Sequence, residues 1–219
     1  MCDTIAIGEE AFKNLVDLNT YYGQFGIFNN MAVGNKAGKY MTSGTSNTLI
    51  GSKCGYRLLS GDLNVIVGSD TIYRYNATTV TANTGVGVQV FQNILSGEYD
   101  PGTGATASYA NCAFGMNAIK GDGDIGFNGK ANTAIGTSAL CRLSTGTHNT
   151  GIGYFAGTIN AYNSVSSGTY NTLLGAFAGY GIKTGSYNTI IGGQSVRAVT
   201  WDAALSNNVV LMDGQENKA

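Results

Sequence analysis

The chain has 219 residues, with 33 Gly, one Pro, 11% charged residues and a formal net charge of −1. With no basic or acidic run, it has no nucleic-acid footprint and no electrostatic membrane surface. No apolar stretch approaches the ~20 residues of a membrane span, and 43% hydrophobic residues with 13 Tyr argue against disorder.

Taken in chain order, one phrase returns eleven times: Asn-Thr-x-aliphatic-Gly. It opens as Thr4-Ile5-Ala6-Ile7-Gly8 and continues at Asn30–Gly34, Asn47–Gly51, Asn64–Gly68, Asn83–Gly87, Asn111–Gly115, Asn132–Gly136, Asn149–Gly153, Asn171–Gly175 and Asn188–Gly192. A degenerate copy, Asn208–Met212, comes last. The ten phrase-ending glycines are spaced by 26, 17, 17, 19, 28, 21, 17, 22 and 17 residues, so the base unit is 17 residues with insertions. We number the phrase one to five and count on through the unit.

The linking segment is patterned too. Position eight is small (Ala11, Ala37, Cys54, Ala118, Ala139, Ala156, Ala178, Ser195), and position twelve is commonly apolar (Leu15, Met41, Leu58, Ile94, Leu143, Ile182, Val199). A Ser/Thr-Gly turn precedes the next Asn. Each unit is predicted to be a strand, a bend, a second short strand and a Gly turn. Several Gly per unit and β-branched residues clustered in the phrase oppose a helix. Units this short cannot bury a core alone and must stack as rungs. The fold class expected is therefore all-β, a repetitive parallel β-solenoid or β-roll, or a triple β-helix, with about 17 residues per rung. The shaft is predicted over 1–200, with loop insertions near 17–29, 96–110 and 158–167. A degenerate rung and tail follow at 201–219.

Successive strand residues face opposite ways, yet positions three and four are both apolar in every copy, so both faces need cover. The reading assigns position four to the rung interior. It assigns Ala6, Ala32, Leu49, Ile66, Ala113, Ala134, Leu173 and Ile190, at position three, to an interface with identical chains, where small residues allow close approach. Asn at position one is expected to stack along the rod, its amides bonding rung to rung and capping the turn. Thr at position two suggests an ice-binding array, but Ile5, Met31, Val65, Cys112 and Val209 interrupt it.

The run Asn132-Thr133-Ala134-Ile135-Gly136, followed by Asn149-Thr150-Gly151-Ile152-Gly153, resembles the Asn-Thr-Ala-Ile-Gly repeats of bacteriophage tail fibres. It is also similar to the Ala-Ile-Gly repeats in trimeric autotransporter adhesin heads. The resemblance covers nearly the whole chain and implies a fibrous homotrimer that contributes a rigid shaft and host attachment, located in the virion and assembled in the host cytoplasm. Its partners would be copies of itself, other tail-fibre or baseplate proteins, and a host surface glycan or protein, with no nucleic acid and no membrane insertion. Ser206–Gly214 resembles the segment that precedes a self-cleaving chaperone in many phage fibres. The alternatives are a bacterial adhesin head and a capsule-degrading tailspike, the latter predicting sugar release from capsule or lipopolysaccharide.

No catalytic site, metal site or cofactor is expected. Cys2, Cys54, Cys112 and Cys141 lack CxxC spacing and suit small buried thiols in a reducing compartment. The start, MCDTIAIGEEAF, has no basic segment before an apolar run and is not read as a signal peptide. His148 sits in a repeat turn, and the pairs Glu98/Asp100 and Asp122/Asp124 fall in Gly-rich insertions, where solvated turn carboxylates are the default. Receptor contact, if present, is expected from the insertion aromatics Tyr21, Tyr22, Phe25, Tyr99, Tyr109 and Tyr162, whose rigid rings offer area at little entropic cost. The competing reading is that these rings only pack the loops onto the rod.

Overall fold

A computed structural model describes residues 4–15, 29–73, 80–94, 96–100, 105–107, 109–121, 126–158, 166–193 and 202–212. The strands are β1 (Ile5–Ile7), β2 (Met31–Val33), β3 (Thr48–Ile50), β4 (Val65–Val67), β5 (Thr84–Val86), β6 (Ser96–Asp100), β7 (Ala105–Ala107), β8 (Cys112–Phe114), β9 (Thr133–Ile135), β10 (Thr150–Ile152), β11 (Thr172–Leu174), β12 (Thr189–Ile191) and β13 (Val209–Leu211). Eleven of them, one per phrase, form a single parallel sheet in chain order. This is a β-solenoid. The insertion at 96–110 adds an antiparallel pair, β6 with β7.

Register is uniform: Thr133 pairs with Thr150, Ala134 with Gly151 and Ile135 with Ile152, and each neighbouring pair of rungs repeats the match. Each rung is tied at both ends of its strand, as where Thr48 N–H donates to Asn64 O at 2.8 Å and Gly51 N–H to Val33 O at 2.7 Å. At about 4.8 Å per rung, ten intervals make a ladder on the order of 50 Å long.

The faces are the reverse of the expectation. Ala32, Leu49, Ile66, Ala113, Ala134 and Ile190 are fully buried and Leu173 nearly so, all inside their own chain, which removes them as surfaces for a second copy. Ala6 is exposed only because β1 is the end strand. Position four instead points outward. The physical reason is volume matching between positions three and nine, which share one cavity. Gly85 is filled by Phe91, whose Cε2 lies 2.8 Å from where a Cβ would stand. Gly157 is filled from two neighbouring rungs, by Leu140 Cδ2 and Leu173 Cδ1, both at 2.7 Å.

The rest of each rung departs from the second predicted strand. Among the described residues, isolated bridges outside the named strands join Thr81 with Tyr109 and Ile94 with Phe127. Turns carry the chain around, and 25 non-glycine residues among those described adopt φ between 46° and 67°. Such conformations cost roughly 1–2 kcal/mol each and are held by rung-to-rung bonds such as Lys53 N–H to Asn35 O at 2.8 Å. The expected core positions hold: Ala37, Cys54, Ala118, Ala139, Ala156 and Ala178 are buried, as are Met41, Leu58, Ile94, Leu143 and Ile182. Ser195 and Val199 lie outside the described residues.

Where another rung follows, position five tolerates only Gly; the last copy carries Met212 there. Gly136 has φ +128°, and an added Cβ would stand 2.6 Å from Gly153 O. Gly136→Ala is therefore expected to destabilise the chain by about 3 kcal/mol or more, combining strain with a pried-open rung. A shifted urea midpoint measures it.

Candidate assembly face

The strands present two opposed surfaces, and what lies on each decides what the rod can do. Inside, position one forms a continuous amide ladder. Asn47, Asn64, Asn83, Asn111, Asn132, Asn149, Asn171, Asn188 and Asn208 each donate Nδ2–H to Oδ1 of the preceding Asn, at 2.8–3.5 Å. The same Oδ1 accepts the backbone N–H of the later Asn, as from Asn149 to Asn132 at 3.0 Å. The second Nδ2 hydrogen reaches a turn carbonyl one rung on, such as Gly146 O from Asn132 at 2.9 Å. At Asn47, Asn64, Asn111, Asn132, Asn149, Asn171 and Asn188 the amide thereby bonds to the preceding Asn, the following Asn and the turn that leads into the next rung. The expected axial stacking and turn capping are both present.

Outside, side chains project from positions zero (the residue before the Asn), two, four and six. Seventeen large hydrophobic residues are exposed among those described, and all except Tyr109 fall on these four columns. Position four supplies the spine: Ile7, Val86, Phe114, Ile135, Ile152, Ile191 and Leu211 are each 36–59% exposed. Val88, Met116 and Tyr154 widen it at position six, and Leu63, Tyr170 and Tyr187 at position zero. Among the described residues of these columns the only formal charge is Glu9.

Six residue steps across and ten rungs along give a face on the order of 1,000 Å². The face, which also carries Thr at position two in six rungs, is comparable to one partner's share of a standard interface, about 800 Å². Loss of charge from the centre of a surface is the compositional mark of an interface core. An inward-facing position three thus transfers the need for cover to this second face.

The other candidate residues are dispersed. Tyr21, Tyr22, Phe25 and Tyr162 lie outside the described residues, as do Cys2, Asp122 and Asp124. Tyr99 belongs to β6. Tyr109 is exposed, with Lys130 Nζ 5.2 Å from its ring centre. His148 occupies the turn surface as expected, stacked on Tyr170 at 4.7 Å, and Tyr170 stacks in turn on Tyr187 at 5.2 Å. This column, at position zero, was not singled out from sequence, although His148, Tyr170 and Tyr187 recur in phase.

Cys54 is buried, and burial pushes its thiol up to about 11. Cys112, at position two, is half-buried on the outward face, and desolvation raises its thiol too. Among the described residues no group of three or more His, Cys, Asp or Glu is placed to hold a metal ion. No family model, curated protein or solved structure matches this chain.

Proposed function

We propose that this chain is a structural, non-catalytic segment of a viral tail fibre, in which three copies run parallel and in register as a rigid shaft serving attachment to a host surface. The observation that carries the reading is the outward face, with its aliphatic spine and a single charge, Glu9, among its described residues, running the length of the ladder. A surface whose apolar groups recur once per rung is best matched by a partner with the same rung spacing, and another copy of the chain has it. Parallel, in-register packing sets each aliphatic column against its equivalent, so no rung meets an insertion. Three is the number implied by the resemblance to tail-fibre repeats. The amide ladder supports the shaft role, because it stiffens the rod along its axis.

Cys112 supplies the test. At the same height in every copy and on the covered face, it is expected to form Cys112–Cys112 links with a short bis-maleimide, identified by peptide mass. Cys54 should stay unlabelled until the chain unfolds. Cys112 reacting as fast as in the unfolded chain, with no link between chains, would overturn the proposal.

A further inference from the structure

A near-neutral chain can still carry a segregated surface. Of its twelve Lys and Arg, five meet on the first rungs at positions seven, ten and eleven: Lys13, Lys36, Lys39, Lys53 and Arg57. Positions ten and eleven lie in the second half of each unit, while position seven borders the outward face at position six. They surround Tyr40, Tyr56 and Tyr73, which follow one another at 5.0 Å edge-to-face and 5.2 Å stacked. Arg57 lies 4.8 Å from the Tyr40 ring centre, Lys39 5.4 Å from the same ring, and Lys53 5.4 Å from Tyr73.

Two carboxylates are set among the cations. Glu10 receives Lys13 at 2.6 Å and Lys39 at 2.8 Å, with Lys36 at 4.0 Å, and Asp70 faces Lys53 at 3.8 Å. Bonds from Lys13 and then Lys39 hold the Glu10 carboxyl down at about 2. Five cations against Glu10, Asp70 and the adjoining Glu9 still leave a local positive excess on a protein of net charge −1.

We infer that this basic, tyrosine-lined flank binds an acidic polysaccharide. The ring faces are occupied by one another and by the cations. What the flank offers is ammonium and guanidinium heads interleaved with phenol hydroxyls. Those groups suit a polymer whose acid groups are separated by sugar hydroxyls, because both kinds of donor find acceptors along it. A single-stranded nucleic acid needs open ring faces for its bases and a groove that tracks an unbroken run of phosphates. Here the faces are covered, and Glu10 and Asp70 would oppose a dense phosphate run. Lys13, Lys39, Arg57 and the three tyrosines, at positions ten and eleven, are set back from the outward sheet face, so the inference stands apart from the assembly proposal.

The test is retention of the full chain on immobilised alginate at about 50 mM salt, where screening is weak, with neutral dextran as control. The chain is expected to be held on alginate, to elute as salt rises, and to pass through dextran. Lys53→Gln with Arg57→Gln should weaken binding about tenfold or more. Lys130→Gln, beside Tyr109, should not, and the solution mass and thermal midpoint of each variant establish that it has folded. Passage of the native chain through alginate, undiminished binding by the double variant, or release by poly(dT) at lower concentration than by free alginate would each overturn the inference.

Discussion

Ile135→Asp combined with Ile152→Asp is expected to split the proposed trimer into single chains while the solenoid stays folded. Both side chains are about two-fifths exposed, at 41% and 38%, on the outward face of one subunit. In a free chain the carboxylates therefore keep their water, and the folding cost stays within about 1 kcal/mol. In the assembly they lie against equivalent carboxylates of other copies with no cation near, since the described columns around them hold no charge beyond the distant Glu9. An unpaired buried carboxylate costs several kcal/mol, and each copy brings two. Association should weaken by more than about 10³-fold at 1.4 kcal/mol per decade. Sedimentation would follow the mass and far-ultraviolet dichroism the fold. Ala134→Asp, one residue away but fully buried, should instead unfold the chain.

The second large effect is expected at the centre of the amide ladder. Asn132→Ala removes four side-chain bonds: Nδ2–H to Asn111 Oδ1 at 3.1 Å and to Gly146 O at 2.9 Å, and those Oδ1 accepts from Asn149 N–H at 3.0 Å and Nδ2–H at 3.1 Å. Every partner is buried, so each is left without water. At about 1–3 kcal/mol per stranded group the loss should be about 4 kcal/mol or more, a large share of a domain's usual margin of about 5–15 kcal/mol. Asn208→Ala gives the internal comparison. Its side chain loses only a long, part-buried bond to Asn188 Oδ1 at 3.5 Å and an exposed one to Ser206 O at 2.6 Å, and the variant should lose about 1 kcal/mol or less. Urea denaturation of both variants measures the difference.

Much of the fold was legible because a repeat multiplies weak signals. The phrase fixed eleven strands, their order and their register, and position one announced the amide ladder through its monotony. The orientation of the strand was not legible from hydrophobicity, since positions three and four are equally apolar. A reciprocal size rule carries it instead. In several rungs where position three is Gly or Ala, as at Gly85, Ala113 and Ala134, position nine is large, Phe91, Ile119 and Leu140. Beside Ala32 and Gly151, position nine is Gly38 and Gly157, and neighbouring rungs fill the space. Where position three is Leu, as at Leu49 and Leu173, position nine is Gly55 and Gly179. Only residues sharing one cavity need such a rule. The left-handed turns were hidden for a different reason. Leu63, Ile72, Phe91 and Tyr170 are poor predictors of positive φ, and the conformation is imposed by the rung below through bonds that no local preference encodes. The outward face could have been found by asking which columns flanking the strand are large and apolar yet almost free of charge.

Sedimentation equilibrium of the intact chain weighs most directly whether the bare aliphatic spine is a seam between subunits. The expected mass is three times that of the 22.7 kDa chain. A single-chain mass, with dichroism showing the sheet intact, would contradict it.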